Sequence, residues 1–421
     1  MNRKKEIQLI EYSYIFVGEI DEGKNKAVSK KVFEELESFV LQNNEIVQYL
    51  KLGQNKKHKF LQAQNYVGVI QTKSGFVIEI LPKIAGVNNT KEENNKVKKI
   101  LIKMLKSLKK SPYKNFNMAN LKSTNLPLLE IFITMFLEEV SILIKKGIKS
   151  DYINKKENLK FLKGKLIISE QIKQNYIHKE RFFVEYQDFM KNRNENKLIK
   201  TTLKYLYGKS KYNRNQQRIR EFLFVFDEID LSQNIKSDFK KVNLNRQMRE
   251  YEKIMDWCKI FLNQKSFSLY KGKEVSFALL FDMNLLFESY VGNYLKNNGW
   301  DVTLQDRKYA LAFLDGEREF LLKPDIVIKK GGKVIIADTK WKVLDKDKLH
   351  QGISQNDMYQ LYAYGTKYEN CNEIYLIYPK SEGVKNKTYT FFENGDLELK
   401  VIFFDILNGK FENNELSGDI N

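Results

Sequence analysis

Lys323-Pro324-Asp325 is followed shortly by Val334-Ile335-Ile336-Ala337-Asp338-Thr339-Lys340, an apolar run that ends on an acid, a hydroxyl and a base. Read as a strand, the run puts Asp338 and Lys340 on one face, because side chains alternate with a period of two. A neighbouring strand carrying Asp325 would bring two carboxylates and one ammonium together. Packing alone would fill the end of such a strand with apolar residues or Thr, so the Asp-x-Lys reads as chemistry. Phosphodiester hydrolysis needs this set: carboxylates to hold a hard divalent cation, and a lysine to orient water or meet charge growing on phosphate.

The flanking pattern alternates helix and strand, as in an α/β domain. Asp282 is placed to cap a helix in which Met283, Leu286, Phe287, Tyr290, Val291, Tyr294 and Leu295 follow the 3.6 period, and Asn297-Asn298-Gly299 stops it. Glu288, on the flank of that helix, is the candidate third acid facing a metal. Strands are expected at Asp301–Leu304, Ala310–Phe313, Pro324–Ile328 and Lys333–Lys340. A second helix spans about Gln355 to Tyr368, with Ser354 as its cap and Asp357 where a capping box would prefer Glu or Gln. On it Gln360 and Tyr364, four apart, share a face and can support the site. Strands Glu373–Tyr378, Thr388–Phe392 and Leu397–Phe404 follow, the last two joined by the turn Asn394-Gly395. Tyr359 and Tyr362 read as core rather than as a stacking platform for bases. Lys342 reads as a phosphate contact or a solvated charge.

Upstream, residues 1–95 read as β-rich with one helix over Val32–Val40, strands at Tyr14–Val17 and Tyr66–Ile70, and a hairpin from Val67–Thr72 through Lys73-Ser74-Gly75 to Phe76–Ile80, ended by Pro82. Asn88–Asn95 is the linker candidate. Residues 96–270 read as mainly helical, with mixed signals over Asn158–Asp188, and 271–421 as the domain carrying the site. Lys96–Lys110 has helical apolar spacing. Leu126–Leu143, interrupted by Glu130, Glu138 and Glu139, reads as a buried helix and not a membrane span.

At 421 residues two or three domains are expected. Lys+Arg 72 against Asp+Glu 53, a net charge of +19, favours a polyanionic partner, although a Lys-rich composition by itself moves the odds only modestly. Two distant cysteines, Cys258 and Cys371, and three scattered histidines, His58, His178 and His350, assemble no Cys/His zinc site and no HNH-type histidine site. Any metal is therefore held by carboxylates, which points to magnesium. With no disulfide framework and no export signal, a cytoplasmic location is expected. No G-x-x-x-x-G-K-[ST] is present; Tyr207-Gly208-Lys209-Ser210 has only the tail of one.

The acidic residue on a helix, the Pro-Asp and the Asp-x-Lys resemble the PD-(D/E)xK nuclease superfamily. Longer segments resemble the McrC family, the nuclease subunits of McrBC modification-dependent restriction systems. These are Tyr66-Val67-Gly68-Val69-Ile70 with Ile80-Leu81-Pro82-Lys83-Ile84, and Glu157-Asn158-Leu159-Lys160-Phe161-Leu162-Lys163-Gly164-Lys165-Leu166 with Ser169-Glu170-Gln171-Ile172. They continue with Phe281-Asp282-Met283-Asn284 before Leu286-Phe287-Glu288, then Asp338-Thr339-Lys340-Trp341-Lys342 and Asp357-Met358-Tyr359-Gln360-Leu361-Tyr362-Ala363-Tyr364. They lie across most of the chain in the family's order. The resemblance implies a magnesium-dependent endonuclease acting on double-stranded, modified DNA while docked on a hexameric McrB-like AAA+ GTPase whose hydrolysis it stimulates. It places that contact in the N-terminal and middle regions. Asp325, Asp338 and Lys340 would be catalytic with Glu288 and Gln360, and Asp325, Asp338 and Glu288 would hold the metal. A non-catalytic activator of the GTPase with a decayed site is the alternative; the intact Asp325, Asp338 and Lys340 favour the nuclease.

Overall fold

The computed structural model describes residues 6–43, 49–56, 58–84, 90–108, 112, 126–262, 275–391, 394–412 and 416. They form two compact units, one of Met1–Leu128 with Phe267–Asn421 and one of Leu129–Ser266. This division differs from three consecutive parts for a reason visible in one strand pair, described below.

In the first unit, β1 (Glu6–Ile10), β2 (Tyr14–Val17), β3 (Lys26–Val28), α1 (Lys30–Asn43), β4 (Leu50–Gln54), β5 (Lys59–Ala63), β6 (Tyr66–Thr72), β7 (Val77–Leu81) and α2 (Lys91–Ser107) come first. The order β3-β2-β5-β4 makes one small sheet. The expected hairpin is β6–β7, and β1 runs parallel to β7. Val32, Phe33, Leu36, Phe39 and Val40 of α1 pack on Ile7, Leu9, Ile15, Leu61, Ile70, Ile78 and Ile80, a period-3.6 face against period-2 faces. The linker expected at Asn88–Asn95 is corrected from Lys91 onward, while 88 and 89 lie outside the described residues. Thr90 and Glu93 form a reciprocal capping box that starts α2. Lys98 on α2 is buried and pairs with the buried Glu79 of β7 at 2.7 Å, and it donates to Leu126 O at 3.2 Å. Glu79 also accepts from Gln8 at 3.0 Å and from the Leu128 N–H.

The second unit holds nearly all of α3 (Leu128–Lys146), then β8 (Asp151–Leu159), β9 (Lys165–Leu166), α4 (Ile168–Asn175), β10 (Phe182–Met190), α5 (Asn194–Tyr207), α6 (Asn213–Val225), α7 (Ile235–Lys241) and α8 (Arg249–Leu262). The mixed signals around Asn158–Asp188 resolve into an antiparallel sheet, β8-β10-β9, with α4 packed on β10. α3 is the expected buried helix. Its Glu130 accepts from Ser210 Oγ at 2.7 Å, from Asn215 Nδ2 at 2.9 Å and from the Lys211 and Tyr212 N–H groups, so a buried acid anchors the turn after α5. The P-loop-like tail is this turn: Gly208 caps α5 and Ser210 is tied to Glu130.

Returning to the first unit, the chain continues with β11 (Val275–Asp282), α9 (Met283–Asn297), β12 (Asp301–Leu304), β13 (Ala310–Leu314), β14 (Glu317–Leu321), β15 (Ile326–Lys330), β16 (Lys333–Thr339), α10 (Gln355–Lys367), β17 (Cys371–Pro379), β18 (Lys387–Phe391), β19 (Asn394–Asp405) and β20 (Lys410–Phe411). β11 pairs antiparallel with β6, and Ala278 and Leu280 complete the core under α1. That pair ties the N-terminal strands to the C-terminal third. Gly68 is required there: its φ is +139°, and a Cβ would lie 2.0 Å from Leu279 O.

The large sheet has the order β12-β15-β16-β17-β19-β18, with β20 on β19. β16, β17 and β19 are mutually parallel and the outer pairs antiparallel, a mixed α/β arrangement with α9 and α10 packed against it. β18 and β19 form the expected hairpin. The chain reverses between Phe391 and Asn394, so Asn394-Gly395 lies in β19 and not in the turn, which falls outside the described residues. Pro324 precedes its strand. β14 was unexpected because all five of its residues are exposed and it carries no apolar alternation. Ser354 stands at the N-cap of α10 but makes no capping hydrogen bond. Among the described residues no helix is long and apolar enough to cross a membrane.

Candidate active site

β15 and β16 run antiparallel with Ile326 opposite Ala337, which sets Asp325 across from Asp338 at the strand ends. Asp325 Oδ2 accepts from both the N–H and the Oγ1 of Thr339, each at 2.8 Å. Asp338 lies mid-sheet between β15 and β17 and is 1% exposed. The Lys340 ammonium is 2.6 Å from Asp338 Oδ2 and 3.8 Å from Asp357 Oδ1 on α10, and it donates to Gln360 Oε1 at 3.4 Å. Gln360 Nε2 donates to the Tyr364 hydroxyl at 2.6 Å, the shared face expected of residues four apart.

Glu288 approaches from α9, which begins on the Asp282 cap: Asp282 Oδ1 accepts the Asn284 N–H at 2.8 Å. Glu288 is buried, and its Oε2 accepts from Gln305 Nε2 at 3.0 Å. The structure therefore brings Asp325, Asp338, Lys340 and Gln360 together through direct contacts or strand register, and Glu288 joins them through its charge and through Gln305.

The electrostatics follow from burial. Burial, then the Asp325 charge, pushes Glu288 up to about 7. Burial raises Asp338, and the neighbouring Asp325 adds to it; burial raises Asp325 as well, against the lowering effect of its two Thr339 bonds. Burial alone would lower Lys340, but the charges of Asp338, Asp357 and Asp325 outweigh it and hold the ammonium above its ordinary value. Buried acids that repel one another gain from a cation placed between them, and the lysine beside them can meet a phosphate oxygen.

Tyr359 is corrected: it is 63% exposed and not core, whereas Tyr362 packs against the sheet core. Lys342 donates to the Gly352 carbonyl, a loop tie absent from its expected roles.

Two residues escaped the sequence reading. Gln305, just past β12, sits at φ +52°, donates through its side chain to Glu288 and through its N–H to Asp325 O at 2.9 Å. A non-glycine residue in that region is held there by its surroundings. Its only sequence signal was its place directly after a strand. Glu11, past β1 and 2% exposed, accepts the Trp341 indole N–H on both oxygens, at 3.1 and 3.0 Å, and the Lys83 N–H at 2.8 Å. Burial pushes its carboxyl up to about 8, opposed by the bonds from Lys83 and Trp341, with Asp282 raising it and the Lys83 charge lowering it; Tyr12 also feels its charge. The folded value lies above the ordinary 4.5, so this group's stabilisation is complete below that value and is lost as pH rises through about 8. Relative to Glu11→Gln, the wild-type chain is expected to lose thermal stability between pH 5.5 and 8.5. Parallel melting curves for the two proteins would contradict this.

A family model described as McrBC 5-methylcytosine restriction system component matches residues 61–379, a span that includes all five candidate residues. No curated protein matches. A chain of a half-complex from the tetradecameric assembly of Thermococcus gammatolerans McrB AAA+ hexamers with bound McrC is similar in fold, with a TM-score of 0.69 at 20% identity over 98% of both chains. A chain of the Thermococcus gammatolerans McrBC complex gives 0.50 at 19% identity, over 70% of this chain and 88% of that one. At such identities the likeness is one of fold. The family match covers well over half of the sequence, and the chain belongs to the McrBC 5-methylcytosine restriction system component family.

Proposed function

We propose that this chain is the nuclease subunit of a McrBC-type restriction system, hydrolysing DNA phosphodiester bonds with magnesium while docked on a GTP-driven AAA+ hexamer whose GTPase it stimulates. The observation that carries the reading is the buried Asp338, with the Lys340 ammonium 2.6 Å from Oδ2 and Asp325 across the strand pair. The order α9, β12, β15, β16, α10 fits the helix–strand–strand–strand–helix of PD-(D/E)xK nucleases, with the β13–β14 hairpin inserted.

The donor set suits magnesium. Apart from the Lys340 ammonium, Asp338 Oδ2 has no hydrogen-bond partner among the described residues, although it is buried. Among those residues no group of three or more His, Cys, Asp or Glu side chains is spaced to cage an ion. Magnesium needs no such cage: one or two carboxylates hold it, and water and substrate phosphate complete its shell. Asp325 and Asp338 would hold it, with Glu288 behind them on α9. When bound, it would polarise a phosphoryl oxygen and acidify a water. Lys340 orients the attacking water or meets charge on a non-bridging oxygen, and Gln360 and Asp357 keep its ammonium in place. Water oxygen bonds to phosphorus and gives up a proton to solvent, the bond to the leaving sugar oxygen breaks, and that oxygen takes a proton from solvent.

The solved assemblies of similar fold hold McrB AAA+ hexamers with bound McrC, which supports a motor partner of that kind. We assign motor contact to residues 1–95 and the mainly helical stretch 96–270, and cleavage to 271–421. The +19 net charge suits double-stranded DNA, and the family's description points to methylated cytosine as its mark. The test is cleavage of methylated and unmethylated plasmid by the chain with its cognate motor, GTP and magnesium. Cleavage of methylated plasmid supports the proposal. Intact plasmid with stimulated GTP hydrolysis would replace it with the non-catalytic activator.

A further inference from the structure

Glu11 belongs to the N-terminal strands, yet its carboxylate ends on the segment that presents the candidate catalytic lysine. Its own N–H is bound to Leu81 O at 3.0 Å and its Oε2 takes the Lys83 N–H, so both its backbone and its side chain are pinned to the end of β7. The Trp341 indole it receives is buried and lies edge-on to Phe287, with ring centroids 5.5 Å apart. Trp341 directly follows Lys340, and Phe287 directly precedes Glu288. One buried hydrogen-bonded indole thus touches the two segments that carry Lys340 and Glu288.

We propose that Glu11 is a positioning residue of the nuclease site, which holds the Trp341 indole and through it the backbone turn that presents Lys340 to Asp338. The inference rests on the nuclease reading above. That segment is tied to the sheet by the Lys340 N–H, which donates to Ile377 O at 2.9 Å, and Glu11 supplies a second tie through the Trp341 indole. A lysine side chain has four rotatable bonds, so its ammonium stays beside Asp338 only while the backbone beneath it is fixed. Displacement of such a group by about an ångström is enough to slow a reaction by roughly a hundredfold. Glutamine at position 11 keeps an oxygen for the indole, whereas alanine leaves the buried N–H without its acceptor.

The test uses the full chain with its motor, GTP, magnesium and DNA, and compares wild type, Glu11→Ala, Glu11→Gln, Trp341→Phe, the double variant Glu11→Ala/Trp341→Phe, and Lys340→Ala. The maximal cleavage rate of Glu11→Ala should fall roughly 10–100-fold, as for groups that orient the residues in contact with a metal site. The half-saturating DNA concentration and the stimulated GTP hydrolysis should hold, and Glu11→Gln should restore most of the rate. Trp341→Phe should slow cleavage similarly, and the double variant should be no slower than the worse single one, because both changes cut the same link. If Glu11→Ala does not fold, Trp341→Phe carries the test alone: cleavage slowed roughly 10–100-fold with GTP hydrolysis held supports the link, and wild-type cleavage overturns it. Wild-type rates in Glu11→Ala, or rates that fall only in step with GTP hydrolysis, would overturn the positioning role while a dead Lys340→Ala leaves the nuclease reading standing. A wild-type chain that leaves DNA intact would remove both.

Discussion

Lys340→Ala is expected to lower the rate of DNA cleavage by about 10²–10³-fold, the cost of removing one charged group aimed at a developing anion. GTP hydrolysis by the motor should stay stimulated. Lys340→Arg should restore little, because a broad planar guanidinium does not reproduce a compact ammonium held 2.6 Å from Asp338 Oδ2 and within reach of Gln360. Asp338→Asn should be at least as damaging, since it removes the buried charge around which the site is built. Plasmid cleavage with the motor, scored beside GTP hydrolysis, measures both variants. Wild-type cleavage in either would require another catalytic centre.

The largest stability effect is expected at another buried pair, Lys98 and Glu79. Lys98→Ala should cost about 3–5 kcal/mol, because it strands the buried Glu79 carboxylate without its ammonium. Gln8 and the Leu128 N–H still bond Glu79, so the acid is not wholly unsatisfied, but neither neutralises it. The double change Lys98→Met/Glu79→Gln should recover most of the loss, since it removes both charges and keeps an acceptor for the Leu128 N–H. Denaturant titrations of the three proteins test the pair. A double variant no better than Lys98→Ala would mean that the ion pair is not the source of the effect.

The sheet around Asp338 was legible because two local rules agreed: a period of two through Val334–Asp338, and a 3.6 period with a cap at Asp282. The apposition of Asp325 and Asp338, the cap of α9, its stop at Asn298 and the β6–β7 hairpin are all short-range consequences of neighbouring residues. What was not legible depends on partners distant in sequence. The β6–β11 pair requires a glycine whose reason is the Leu279 carbonyl on another strand. Gln305 owes its left-handed backbone to its surroundings, and Glu11 meets Trp341 across 330 residues. Tyr359 illustrates the converse, since helical spacing cannot tell the face that meets the sheet from its neighbour. The Asn-Gly pair after β18 is a strong turn signal, yet register puts it inside β19.

The β6–β11 pair also constrains how the chain is made. Asn65 and Asp282 are hydrogen-bonded although 217 residues apart, and the whole second unit is strung between them. At roughly 5–20 residues per second, a ribosome leaves the edge of β6 without its partner for on the order of ten seconds or more. Over that interval the intervening unit can settle, but the core beneath α1 still lacks Ala278 and Leu280. The strands that bear the acidic site emerge only after that core can close. Asp325, Asp338 and Lys340 therefore emerge only after the period when the N-terminal sheet is most open to mispairing.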